Sequence, residues 1–432
     1  MDEKREISIR VPVLARVEGE GALEIDIDNG RIAALRLRIY EPQRFFEKLL
    51  EGRAFAEVPD MVARICGICP VAYQMSAVHA LEGIFGASPG PWVRAMRSVI
   101  YCGEWISSHS LHIHLLAAPD FLGCDSFIAM AADHPDEVRR RLMLQSLGND
   151  LIGLFGARSV HPIGVRVGGF HRAPPLDQVR SLALRLRAAL PAARDLIAWT
   201  AALPLPVDSQ SFTSVALRHA REYPMNEGRI VSSDGLDIAI DEYDDHFTEH
   251  QVAHSTALHC LLHEQPYLVG PLARLNLNGA LLPQAVRAAL DATGIGFPSA
   301  NPFHGIVARA AEIHYALLEA VAILEDYHLP PAAFVEVAPR GGIGFGCTEA
   351  PRGLLWHRFE TDDAGAIRGA RIVPPTSQNQ ARIEEDLRLS LQAFGLGRSD
   401  DELRRHGEMV IRNYDPCISC ATHFLKLGVR RL

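Results

Sequence analysis

Cysteine is scarce in this chain, with eight among 432 residues, too few for a disulfide scaffold to carry the fold. No uninterrupted apolar run reaches the ~18 residues that a membrane helix needs, so no membrane span is expected. The opening MDEKREISIR has no apolar stretch of the kind a secretory leader carries. No GxGxxG follows a strand pattern and opens a helix, which leaves no visible dinucleotide site. An excess of basic residues is also missing. The net charge is −9, which gives no reason to expect a nucleic-acid partner. Repeats and low-complexity linkers do not occur. What is present is ordinary for a folded protein, with 48% hydrophobic and 22% charged residues, on a chain long enough to bury a large core.

Residues 5–40 read as β. ISIRVPV and ALEIDID alternate in part, and Asn29-Gly30 before RIAALRLRIY is a hairpin signal. From residue 42 the period becomes helical, with Phe45, Phe46, Leu49 and Leu50 at helix spacing. Pro70 to Ile84 keeps that period, and helices are predicted at 92–118, 134–154, 176–190, 192–202, 284–293, 306–327 and 380–394. Pro191 is expected to separate two of them. RIVSSDGLDIAIDEY reads as strand around a turn at Ser233–Gly235, while Gly341–Gly346 and Val373–Pro375 read as loops. The expected fold class is α+β, mainly α: a large multi-helix domain over residues 1–432 with a β-rich N-terminal segment.

Cys102, Cys124, Cys260 and Cys347 stand alone, as small buried hydrophobes do. The other four form two CxxC pairs at opposite ends of the chain, Cys66 and Cys69 in RICGICP and Cys417 and Cys420 in DPCISCATH. Asp415 suits a helix N-cap and Pro416 the first helical position, which would put Cys417 and Cys420 on one helix face. Pro70 places Cys69 at a helix start as well. Helix N-termini favour thiolates, so the two pairs can converge on one metal. Four thiolates alone fit structural zinc or an iron–sulfur centre, and a pair of redox disulfides is a further reading. Zinc knuckles normally lie close in sequence, whereas these pairs would tie the first part of the fold to the last. His246, His250 and His254, four apart, would form a stripe on a helix. A solvated or interface face is the first reading of that stripe and zinc binding the second, since no HExxH accompanies it.

Arg64-Ile65-Cys66-Gly67-Ile68-Cys69-Pro70 and Asp415-Pro416-Cys417-Ile418-Ser419-Cys420-Ala421-Thr422-His423 resemble the two cysteine signatures of the nickel–iron hydrogenase large subunit. Arg16-Val17-Glu18-Gly19, Arg44 to Glu47, and Glu349-Ala350-Pro351-Arg352-Gly353 resemble that family's other motifs, in the family's order. GICPVAYQMSAVHA and EYPMNEGRIVSSDGLDI are most similar to its soluble cytoplasmic group, which couples to NAD(P) and includes the sulfhydrogenases. The resemblance implies a cytoplasmic enzyme that cleaves H2 reversibly into hydride and proton. Nickel would be held by Cys66, Cys69, Cys417 and Cys420, with Cys69 and Cys420 bridging to an iron that carries CO and cyanide. Glu18 is implied as the proton acceptor from Cys417. Arg352, oriented by Asp415, would lie over the open side of the metals. A guanidinium hardly deprotonates, so Arg352 is assigned to polarising and positioning. Asp120 resembles the other acidic residue above the site. Pro351 belongs to the same cofactor-binding stretch as Arg352, and Thr376 is the implied donor to an iron-bound cyanide. Glu47 and His423, with a carbonyl near Arg371, resemble ligands of a magnesium-type ion. Tyr73 stands where many relatives carry a histidine, and His79 reads as a core histidine.

No cysteine set is left for an iron–sulfur cluster, so electrons must leave through another subunit. The resemblance implies an iron–sulfur small subunit docked on the motif-bearing N-terminal third, followed by flavin and NAD(P)-binding diaphorase subunits. Family members are cut after the histidine of the last motif once nickel is inserted. That implies a maturation protease, nickel-insertion proteins and removal of Phe424–Leu432. An H2 sensor with the same motifs, a structural zinc protein, and a metal-free relative such as the complex I subunit of similar fold are the competing readings. The complete cysteine quartet argues against the last.

Overall fold

The computed structural model describes residues 7–42, 45–124 and 126–422. Strands β1 (Ile7–Val11), β2 (Gly21–Asp28) and β3 (Arg31–Ile39) form an antiparallel sheet in the order β1-β2-β3. Asp28 pairs with Arg31, and Asn29 and Gly30 both have positive φ (50° and 73°), the backbone that a tight two-residue hairpin requires. Ile7, Ile9, Leu23, Ile25 and Leu37 turn inward from this sheet, where alternation puts one face on the core.

The helical body contains α1 (Pro70–Phe85), α2 (Pro91–Leu111), α3 (Pro135–Gly156), α4 (Leu176–Ala201) and α5 (Gly305–Glu325). α2 packs on α3 and α5, and α5 packs on α4. At the α2–α3 crossing, a Cβ on Gly103 would stand 2.8 Å from the carbonyl oxygen of Gly148, and one on Gly148 2.6 Å from that of Gly103. Only glycine lets these two backbones touch. The helix expected over 92–118 changes at its end to a π-helical turn, His112–Ala117, and then to a short helix, Ala118–Phe121. Pro191 does not separate two helices, because α4 runs through it. The proline lies on the exposed face, where water can bond the freed carbonyl of Arg187.

A second antiparallel sheet, β4 (Gly342–Ala350), β5 (Gly353–Thr361) and β6 (Ile367–Val373), packs against α1. The expected loop at Gly341–Gly346 is therefore mostly strand. Its glycines are there for packing rather than turning: Cβ atoms on Gly344 and Gly346 would meet the Ala80 and Ser76 carbonyl oxygens of α1 at 2.2 and 1.9 Å. The chain then enters α6 (Pro375–Phe394), α7 (Asp400–Asn413) and the short α8 (Ile418–Ala421). α7 and the helix Pro271–Asn278 were not anticipated. The strand reading of RIVSSDGLDIAIDEY holds at Arg229–Ser232 and Asp237–Ile238, within a four-stranded sheet. With 48% helix and 20% strand, the α+β, mainly α expectation stands. Among the described residues no helix is long and apolar enough to cross a membrane.

Candidate metal centre

Two remote helix starts bring the cysteines together. Cys69 is the N-cap of α1, with Pro70 at the first helical position, as the sequence predicted. Cys417, not Asp415, is the N-cap of α8. Asp415 instead takes a left-handed backbone (φ 55°), which turns the chain sharply after α7 and frees its carboxylate for Arg352. The sulfur atoms of Cys66, Cys69, Cys417 and Cys420 lie within 4.8 Å of one another and are buried. Cys66 Sγ is 2.7 Å from Cys69 Sγ and 3.6 Å from Cys417 Sγ. All four are free cysteines, and their convergence in one buried group suits a shared metal better than two separate redox pairs.

The quartet ionises unevenly. Burial raises the Cys66 thiol, but hydrogen bonds from Cys417, Cys420 and Cys69 and the charge of Arg352 outweigh it and take Cys66 well below the thiol range. Backbone amides of Ile68 and Cys69 also donate to Cys66 Sγ at 3.3 and 3.1 Å. Burial drives Cys69 and Cys417 well above that range and Cys420 above it. Packed thiolates repel, and one negative charge suppresses the rest. A cation among them removes that penalty and lets each deprotonate. The donor set therefore fits a soft divalent metal.

Glu18 reaches this quartet through the backbone and its side chain. Its carbonyl accepts from Ile418 N at 3.0 Å, its carboxylate accepts from Ser419 N at 3.0 Å, and the segment bridges to Cys417. Gly19 makes the approach possible. At φ 87°, a Cβ there would meet Glu41 Oε2, Ile418 Cβ and Ser419 N at 2.6, 2.8 and 2.9 Å. Arg352 donates through Nε to the Asp415 carbonyl (2.7 Å) and through Nη2 to its carboxylate (2.9 Å). Arg352 Nη1 and Asp415 Oδ2 are buried without a hydrogen-bond partner. Thr376 Oγ1 accepts from Cys417 N at 3.0 Å. Pro351 accepts through its carbonyl from Arg274 Nη2 at 3.1 Å. Asp120 receives Arg412 at 2.7 and 2.9 Å and also Arg16, so its hydrogen bonds go to these arginines rather than to Arg352. Glu47 accepts from Ile372 N at 2.7 Å. Glu47, Ile372, Cys420 and Thr422 line a cleft of about 30 Å³. His423, Arg44 and Phe424–Leu432 lie outside the described residues.

Several supporting residues escaped sequence reasoning. Glu104 caps the N-terminus of α1, accepting from Val71 N and Ala72 N at 2.6 and 3.1 Å. A lone carboxylate inside the apolar YCGEWI stretch was the available signal. Arg274, fully buried, holds Glu312, Glu349 and the carbonyls of Ala350 and Pro351, which fixes the turn that carries Arg352. Tyr73 has a buried hydroxyl without a partner. Burial, and after it the four sulfur atoms, push that hydroxyl well above the usual tyrosine range. The expected histidine stripe does not form. His246 ends a short helix, His250 lies on a strand, and they meet His263 and Thr248 respectively, while His254 meets Glu384.

A family model described as nickel-dependent hydrogenase matches residues 44–141. The chain is 31% identical over 431 residues to sulfhydrogenase 1 subunit alpha of Pyrococcus furiosus, covering 98% of this chain and 99% of that one. It is 28% identical to NAD-reducing hydrogenase HoxS subunit beta of Cupriavidus necator, covering 95% and 94%. The solved structure of an NAD+-reducing NiFe hydrogenase in the H2-reduced state superposes with a TM-score of 0.86 at 27% identity, covering 98% of this chain and all of that one. A likeness sustained across nearly the whole length means that the chain belongs to the nickel-dependent hydrogenases, as a large subunit of the nickel–iron type acting on H2.

Proposed function

We propose that this chain is the H2-cleaving subunit of a cytoplasmic assembly that passes electrons to an iron–sulfur small subunit and on to NAD(P). The observation that carries the reading is the convergence of four buried cysteine sulfurs within 4.8 Å, drawn from the two ends of the chain. Cys66, Cys69, Cys417 and Cys420 would hold the nickel, and Cys69 and Cys420 would also serve an iron that carries CO and cyanide. When bound, that centre supplies the open coordination position at which H2 is polarised and from which electrons leave. The chain's own residues handle the proton and the geometry. Cys417 Sγ gives its proton to Glu18, whose carboxylate sits one hydrogen bond from Ser419 N. Arg352, clamped by Asp415, directs positive charge over the cysteines. Its orphaned Nη1 supports this, because a buried guanidinium donor normally finds a partner. Thr376 is assigned to hold Cys417 N and to orient a cyanide. Pro351 is assigned to the same wall, and Asp120 to the acidic shell that positions the Glu18 segment through Arg16 and Arg412. Glu47, with His423 and a carbonyl beside Arg371, is assigned to a magnesium-type ion.

The chain is read as one unit over 1–432, with Phe424–Leu432 removed after His423 by a maturation protease once nickel-insertion proteins have acted. Small-subunit docking is assigned to the N-terminal third, where Val13, Tyr40 and Leu49 are exposed. NAD(P) as acceptor rests on the NAD-reducing relatives. The test is tagged purification of the assembly under anaerobic conditions. H2-dependent reduction of NAD+ or NADP+, with an iron–sulfur subunit co-purifying, is expected. Activity from this chain alone as a monodisperse species would contradict the electron route.

A further inference from the structure

A second group of metal-ligating side chains lies outside the cysteine quartet and shares no residue with it. His254, His259 and Glu384 place one ligand atom each within 4.8 Å of one another. His254 Nε2 stands 2.8 Å from Glu384 Oε1, and His259 Nε2 stands 3.4 Å from Glu384 Oε2. His259 is only 5% exposed, and neither of its ring nitrogens has a hydrogen-bond partner. A buried imidazole whose Nδ1 has no partner and whose Nε2 has only the long contact to Glu384 is costly. It is explained if one nitrogen is meant for a ligand.

We propose that His254, His259 and Glu384 bind a zinc ion. Bonds of ~2.0–2.2 Å to a tetrahedral ion put ligand atoms roughly 3.3–3.5 Å apart. The His259 Nε2–Glu384 Oε2 separation already has that spacing, while the shorter His254 contact runs to the other oxygen, Oε1, so a turn of the carboxylate would present one oxygen to the ion between both rings. Two imidazoles with one carboxylate suit zinc and disfavour magnesium or calcium. His254, with its side chain 24% exposed, leaves the fourth position to water. Glu384 Oε1 is oriented by Leu37 N at 2.8 Å, the kind of outer contact that fixes a ligating carboxylate.

The place of the site suggests its use. Glu384 lies on α6, which also carries Thr376. His254 lies on the segment that runs into the strand His259–Leu262. Between the two histidines, Thr256 donates to the carbonyls of Ile39 and Glu41, and Ala257 bridges to Thr422. The ion would pin this segment to α6 and so hold the chain end that carries Cys420 in its bridge.

The test uses the purified, nickel-loaded assembly, stripped with a chelator, re-equilibrated with zinc alone and passed through gel filtration. Metal is counted by mass spectrometry. The parent should retain about one zinc per chain more than His254→Gln or Glu384→Gln, with nickel unchanged and with a zinc-dependent rise in Tm that both variants lose. His250→Gln, which alters a neighbouring exposed histidine, should keep the zinc. His254→Gln changes a partly exposed side chain and keeps the test valid if Glu384→Gln fails to fold. Equal zinc in the parent and His254→Gln, or loss of zinc in the His250→Gln control, would overturn the assignment.

Discussion

Replacing Glu18 by glutamine removes a titratable acceptor and leaves nearly everything else in place. The Glu18 carbonyl still accepts from Ile418 N, and the amide oxygen of glutamine can accept from Ser419 N where the carboxylate now does at 3.0 Å. The structural loss is the difference between a charged and a neutral acceptor on one partly exposed bond, about 1 kcal/mol. The functional loss is larger. A positioned acid–base group contributes roughly 10²–10⁴ in rate, or about 2.7–5.4 kcal/mol of barrier. The E18Q assembly should therefore bind nickel normally, melt within a few degrees of the parent and lose most of its H2-dependent dye reduction. Glu18→Asp withdraws the carboxylate by one methylene, about 1.5 Å, and a displacement of ~1 Å costs on the order of 10²-fold. Its activity should fall between the two. Nickel content, Tm and activity are measured on the same preparation. E18Q with full nickel and activity close to the parent's would refute the proton role. E18Q without nickel would show that the carboxylate holds the site together instead.

Three further outcomes follow from the same contacts. Gly19→Ala forces a side chain into left-handed backbone against Ile418 and Ser419 and should cost at least ~1–3 kcal/mol, read as a lower Tm together with lost nickel. Arg274→Met strands the buried carboxylates of Glu312 and Glu349 and should destabilise by roughly 3–5 kcal/mol, measured by thermal unfolding. The third concerns pH. Burial holds His357 down to about 3 and His406 to about 4. Each contributes stability that is fully present above its unfolded pKa, about 6.5, and is lost as pH falls toward the folded value. Stability should therefore fall on acidification from about pH 6.5 to pH 4, by at most about 1.4 kcal/mol per pH unit from each histidine, read as a falling Tm. A flat Tm across that window would refute it.

What was legible in the sequence was local. Asn29-Gly30 and the pair Cys69-Pro70 carry their geometry in two residues, and both took the predicted form. The cysteine quartet was legible because its two halves repeat one spacing. What failed was set by remote neighbours. The glycines of β4 answer to α1 rather than to a turn, Pro191 is tolerated because its face is exposed, and the histidine period was broken by a strand. Asp415 has the composition of an N-cap but is claimed by Arg352. Arg274 and Glu104 act across long sequence separations, which no spacing rule encodes.

The central claim is that four cysteines from the two ends of the chain hold one nickel. Nickel counted per chain in the mature assembly tests it most directly, with Cys66→Ser and Cys417→Ser measured alongside. About one nickel per chain is expected in the parent, as a single centre binds one such ion, and none in either variant. Zinc in place of nickel in a mature, tail-cleaved parent, or nickel retained by both serine variants, would contradict it.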